Sequence, residues 1–162
     1  MTTTNRVSRI GATTITQWIG VAARLILGAT YLVAGVDKAQ HIAQTQQATR
    51  AFQILSYDLA NIWGVFMPFF EIILGVLLIV GLLTRWIAVL GGLLMTAFIA
   101  GIVSVWARGI SIDCGCFGGG GTAVTTSYAL DIARDVALLL CAVWLVLFPV
   151  TRLSVDRALW DR

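Results

Sequence analysis

The sequence predicts an all-α protein, an integral membrane four-helix bundle. Three observations predict it. Apolar residues make up 59% of the 162-residue chain and charged residues only 12%, against roughly 25% charged in a soluble domain. The apolar residues gather in four runs, from about Trp18 to Val36, Trp63 to Leu83, Trp86 to Trp106 and Tyr128 to Pro149. Each is near the ~20 residues that a bilayer-spanning helix needs. Aromatic residues mark most of the run edges, where amphipathic rings sit at headgroup level. There is room for one domain, with no internal repeat and no low-complexity segment apart from Gly118-Gly119-Gly120-Gly121.

The first run follows a polar leader with Arg6 and Arg9 and holds Arg24 within its apolar stretch. Both features oppose a cleaved signal peptide. A long link follows, from about Asp37 to Ile62. Within it Phe52, Ile54, Leu55, Leu59 and Ile62 fall near helical spacing, with Gln53, Ser56 and Asp58 between them. That pattern predicts a short amphipathic helix lying in the outer interface, covering the bundle. His41, the only histidine, sits in this link and reads as a solvated loop residue. The second run carries Pro68 and Glu71, and a tight turn at Thr84-Arg85 leads into the third. There Gly91, Gly92 and Gly101 suit close helix packing. A glycine-rich loop with Asp113-Cys114-Gly115-Cys116-Phe117-Gly118 joins the third run to the fourth. It follows no strand and lacks the Gly-Lys-Ser/Thr ending of a phosphate loop, which excludes nucleotide binding of that kind. The fourth run holds Asp131, Arg134, Asp135 and Cys141. The boundaries follow: a tail over 1–16, a membrane domain over 17–150 and a second tail over 151–162.

Charge distribution orients the chain. Four spans put both termini on one side, together with Arg6, Arg9, Arg85, Arg152, Arg157 and Arg162, while Lys38, Arg50 and Arg108 fall on the other. The positive-inside bias predicts cytoplasmic termini in a bacterial inner membrane. The cysteine loop then faces outward, where disulfides persist. The net charge of +3 says nothing about nucleic acid, and the apolar composition makes the bilayer the partner.

Ionisable residues inside spans normally face the bundle interior and pair. At ~1.5 Å per residue, Glu71 lies ~12 Å below the outer edge, and Arg134 and Asp135 lie ~9–11 Å below it. This predicts a contact between Glu71 and Arg134, directly or through Asp135 or water, with Arg24 approaching from the inner side. Asp131 sits one turn above Arg134 at favourable spacing. Such a cluster serves either as interhelical glue or as a proton path beneath the loop.

Cys114 and Cys116 are separated by one residue. Three readings stand: an exchange-competent thiol pair, a static disulfide and a metal site. A disulfide across a single residue closes a small ring, and strained or exposed disulfides are the labile ones. Gly115 relieves part of the strain. Zinc usually takes four ligands, and only Asp113 and His41 are available helpers, so no metal is expected. Cys141, deep in the fourth run, reads as packing.

Pro68-Phe69-Phe70-Glu71 with Gly75, the Cys114-Gly115-Cys116-Phe117-Gly118 loop, and Arg134-Asp135 in the last span resemble the MauE branch of the DoxX-like membrane proteins. The resemblance covers about residues 17–150. It implies a four-helix membrane bundle associated with extracytoplasmic redox or disulfide chemistry, and it points to Glu71, Cys114, Cys116, Arg134 and Asp135 as site residues. MauE is linked to maturation of a disulfide-rich subunit of methylamine dehydrogenase. The resemblance further implies a thioredoxin-like partner outside the membrane and quinone as a candidate cofactor. Two functions follow: a membrane thiol–disulfide redox protein, or a non-catalytic accessory subunit of a larger membrane complex with a structural disulfide.

Overall fold

The computed structural model describes residues 4–110 and 128–148, with side chains from residue 15 onward. The described residues form five helices and no strand: α1 (Thr4–Gln40), α2 (Ile42–Ala51), α3 (Tyr57–Val80), α4 (Thr84–Ala107) and α5 (Tyr128–Leu147). Three of them are long and apolar enough to cross a bilayer, over Ile15–Gln40, Tyr57–Val80 and Thr84–Ala107. At ~1.5 Å per residue, the 26, 24 and 24 residues of these stretches exceed a hydrocarbon core of about 30 Å. The chain is a multi-pass membrane protein. α5 is 20 residues long and carries Asp131, Arg134 and Asp135 in its first half.

The outward surface fits that solvent. Val33, Phe66, Ile73, Trp86, Leu93 and Leu140 are all exposed. In water such a girdle would be an aggregation surface; in lipid it costs nothing. The interior is a layer of Leu27, Tyr31, Leu74, Leu78, Ala88, Leu94, Leu138 and Leu145 contributed by α1, α3, α4 and α5.

α1 and α3 lie against each other most closely, because glycines meet there. A Cβ on Gly75 would stand 2.7 Å from the Leu32 backbone nitrogen and 2.8 Å from the Gly28 carbonyl oxygen. A Cβ on Gly35 would stand 2.8 Å from the Pro68 carbonyl oxygen. Gly28 and Gly35 on α1 face Gly75 and Pro68 on α3, each pair seven residues apart, so two small-residue patches let the backbones approach.

The short helix between the first two spans differs from the sequence expectation. It covers Ile42–Ala51 rather than Phe52–Ile62. It continues α1 after a break at His41, which has φ −123° and ψ 49°. It then runs antiparallel along the first half of α3. Gln46 donates to the Asn61 carbonyl at 3.2 Å, Arg50 donates to the Asn61 side chain at 2.7 Å, and Gly64 gives Gln46 room to approach. α1 and α2 thus line α3 in series. The reason lies in the packing face: α2 buries Thr45 and Ala48, small residues that hydrophobic periodicity does not flag. Leu59 and Ile62, read as part of that amphipathic helix, belong to α3 and are exposed.

The turn into α4 is Gly81–Leu83. Gly81 has φ 75°, a left-handed cap that side chains resist, and its N–H and that of Leu82 both donate to the Leu77 carbonyl. Thr84, read as part of the turn, starts α4 and is buried. At the other end of α4, Arg108 donates to the carbonyls of Phe52 and Gln53, tying this end to the α2–α3 turn. Tyr128 at the head of α5 stacks on Trp106 at 6.3 Å and donates to the Ile110 carbonyl at 2.8 Å. The two described ends of the cysteine-bearing segment are therefore held together.

Candidate functional site

The central feature is an ion pair that spacing alone did not predict. Lys38 Nζ donates to both carboxylate oxygens of Glu71, at 2.7 and 2.9 Å. The side chains are 5% and 1% exposed. Removing two charges from water costs several kcal/mol per ion, so geometry this close is required to hold them. α1 presents Gly28, Tyr31, Gly35 and Lys38 on one buried face at 3-4-3 spacing, and α3 answers with Gly64, Pro68, Glu71 and Gly75. The same close approach of α1 and α3 that the glycines permit brings the ammonium to the carboxylate.

A second group lies on α5. Arg134 donates to Asp135 Oδ1 through Nε at 3.0 Å and Nη2 at 2.9 Å, and its Nη1 is 3.5 Å from Asp131. Asp135 is 3% exposed, Arg134 33% and Asp131 27%. The second oxygen of Asp135 is buried with no hydrogen-bond partner among the described residues. Both groups border one cavity of about 20 Å³, lined by Tyr31, Lys38, Glu71, Arg134 and Asp135 among others. Space of that size with Lys38, Glu71 and Asp135 in its wall suits a single water molecule. Tyr31 closes it on one side and donates to the Gly91 carbonyl at 2.6 Å.

The expectation for the buried charges is thus half met. Glu71, Arg134 and Asp135 share a cavity, as anticipated. The ion-pair partner of Glu71 is Lys38, and Arg134 pairs with its own neighbours on α5. Lys38 escaped the sequence reading because it follows the last apolar residue of the first run and resembles an ordinary span-ending charge. Its 3-4-3 register with Gly28, Tyr31 and Gly35 was the available signal. Arg24 is buried, but it lies fourteen residues before Lys38 on α1, about 21 Å along the helix, and does not border this cavity.

The remaining candidates are quickly placed. Cys114 and Cys116 lie outside the described residues. Cys141, on α5, is a free thiol packed against the shared hydrophobic core. His41 sits at the α1–α2 break, where its side chain is 47% exposed and 3.7 Å from Asp37.

A larger cavity of about 250 Å³ lies between α2, α3 and α4, with Lys38 in its wall. Lys38 and Phe98 line both cavities and separate them. The Lys38 ammonium stands 5.0 Å from the centre of the Phe98 ring, in cation–π range.

Apolar spans packed around buried ion pairs define an α-helical multi-pass membrane protein. Residues 16–148 match the family described as methylamine utilisation protein MauE, and the chain belongs to that family. No curated protein and no solved structure matches it.

Proposed function

We propose that this protein is a membrane-embedded thiol–disulfide redox protein working beside methylamine utilisation. In this reading Cys114 and Cys116 exchange with a thioredoxin-like partner outside the cytoplasm. α1, α3, α4 and α5 form a four-span bundle with both termini cytoplasmic. Oxidation of the dithiol to a disulfide releases two electrons and two protons. A partner disulfide takes both and becomes a dithiol; in the membrane, a quinone takes both and becomes a quinol. Glu71 and Asp135 are the carboxyl groups available to handle the protons, and Arg134 holds Asp135 in place.

The observation that carries this reading is where the cysteine-bearing segment is anchored. It leaves α4 at the end tied to the α2–α3 turn by Arg108, and it re-enters α5 at Tyr128, bonded back to Ile110. The described ends of that segment thus meet at one end of the helices, which supports a reading in which the thiol pair works at that rim. The accessory-subunit reading is favoured by a different observation: the Lys38–Glu71 pair is closed and neutral, as structural glue would be.

One experiment separates them. Cys114→Ser and Cys116→Ser variants are expressed in the native host, and mixed disulfides are trapped by acid quenching. Exchange leaves a lone thiol that captures a thioredoxin-like protein in at least one variant. If neither variant traps a partner and both support growth on methylamine, the thiols do not exchange. An impermeant thiol reagent applied to intact, reduced cells should label the pair and spare Cys141. Labelling only after permeabilisation would reverse the orientation.

A further inference from the structure

The 250 Å³ cavity between α2, α3 and α4 has no part in the reading above. Its walls are Phe52, Met67, Phe98 and Ile102, with Trp63 and the exposed Ile54 contributing as well. An engineered apolar cavity of about 150 Å³ accepts a benzene ring. A space of about 250 Å³ therefore suits a body of two fused rings.

The polar content of the walls sets the chemistry of the occupant. Thr45 and Thr49 spend their hydroxyl protons on backbone carbonyls: Thr45 on Lys38 and His41, each at 3.2 Å, and Thr49 on Thr45 at 2.8 Å. Lys38 is different. An ammonium has three N–H donors, and two short bonds to Glu71 leave one. The buried donor in this wall is thus Lys38, so the occupant's polar end is an acceptor. The ammonium's charge is already balanced by Glu71. A carboxylate ligand would bring an uncompensated charge among apolar side chains, and that is costly. A neutral acceptor oxygen brings none.

The geometry points to a binding site between α2, α3 and α4 for a lipid-soluble, uncharged carbonyl compound of about two fused rings, its oxygen accepting a hydrogen bond from Lys38. This site stands on the cavity alone and holds whether or not Cys114 and Cys116 exchange.

The test uses the full chain in detergent micelles, with equilibrium dialysis against empty micelles as the blank. Three probes share a two-ring body: 1-tetralone, its hydrocarbon tetralin, and 1-naphthoate. Tetralone should bind at least tenfold tighter than tetralin, and naphthoate should not bind above the blank. Ala97→Phe places a ring in the cavity from the exposed side of α4 and should reduce tetralone binding tenfold or more at unchanged melting temperature. If that variant does not fold, Ala48→Leu on α2 fills the same space from the opposite wall. In the paired Lys38→Met/Glu71→Gln variant, tetralone should fall to the affinity of tetralin. Equal binding of tetralone and tetralin, both displaced by decane, would identify a crevice for acyl chains and overturn the proposal. Tightest binding of naphthoate would make Lys38 an anion site and overturn it equally. So would full tetralone affinity in a folded Ala97→Phe or Ala48→Leu protein.

Discussion

The two buried charge groups of this bundle are built in opposite ways. Lys38–Glu71 joins two helices across 33 positions of sequence and sits almost wholly out of solvent. Asp131–Arg134–Asp135 stays within one helix, and two of its three members are about one-third exposed. The first exists only because α1 and α3 approach closely enough for an ammonium to reach a carboxylate. The second needs only positions near one another on a single helix. A charge pair between helices reports on the packing of the bundle, whereas a charge pair along one helix reports mainly on that helix.

The sharpest way to break this contrast is to strand one partner of the interhelical pair. Lys38→Met leaves the Glu71 carboxylate buried with its charge unmatched, and losses of about 3–5 kcal/mol are typical of such breaks. Unfolding in mixed micelles should show a loss of that order. Lys38→Met combined with Glu71→Gln should recover most of it, because the desolvated charges are then both gone. A double variant no more stable than the single would show that the pair is not the local determinant of packing.

Gly75→Ala probes the same contact without touching a charge. The added Cβ meets Leu32 backbone at 2.7 Å, which no side-chain rotation relieves. Overpacking of this kind costs about 1–3 kcal/mol, and the shift of α1 against α3 should also lengthen the Lys38–Glu71 bonds. Unchanged stability would mean that the two helices slide apart freely.

Arg134→Gln should be milder than Lys38→Met. Arg134 is one-third exposed, and its loss leaves Asp135 beside the small cavity and near Lys38. A loss of about 1–2 kcal/mol is expected, between the costs of surface and buried pairs. An effect as large as that of Lys38→Met would erase the distinction between the two groups.

Asp131→Asn should be the smallest of the set, about 0.3–0.5 kcal/mol, as for other partly exposed pairs one turn apart on a helix. The pair lies at 3.5 Å, and salt should weaken it further. Thermal unfolding at low and high ionic strength checks both statements.

Much of the fold was legible in the sequence. Composition pointed to a multi-pass membrane protein; the third and fourth apolar runs appear as α4 and α5 within two residues, and the second as α3, which starts six residues earlier at Tyr57. The Pro68–Glu71 and Arg134–Asp135 motifs already carried the resemblance that family membership bears out. The i,i+3 pair of Asp131 with Arg134 followed from spacing and is present. The short helix was not legible, since α2 packs through Thr45 and Ala48 rather than through an apolar stripe. Lys38 was not legible either. One-dimensional hydropathy sees where an apolar run stops, not whether the charge just beyond it turns inward.

Composition and periodicity act residue by residue, so the sequence by itself determined the class of protein, the long apolar helices and some of the charges that had to be buried, Arg24, Glu71 and Asp135 among them. Which charge meets which depends on how near two helices come and on the rotation of each about its own axis. Only the tertiary structure decided that. Gly28, Gly35 and Gly75 set the separation of α1 from α3, and that separation lets Lys38 reach Glu71. These are properties of pairs of surfaces, and no single segment of the chain contains them.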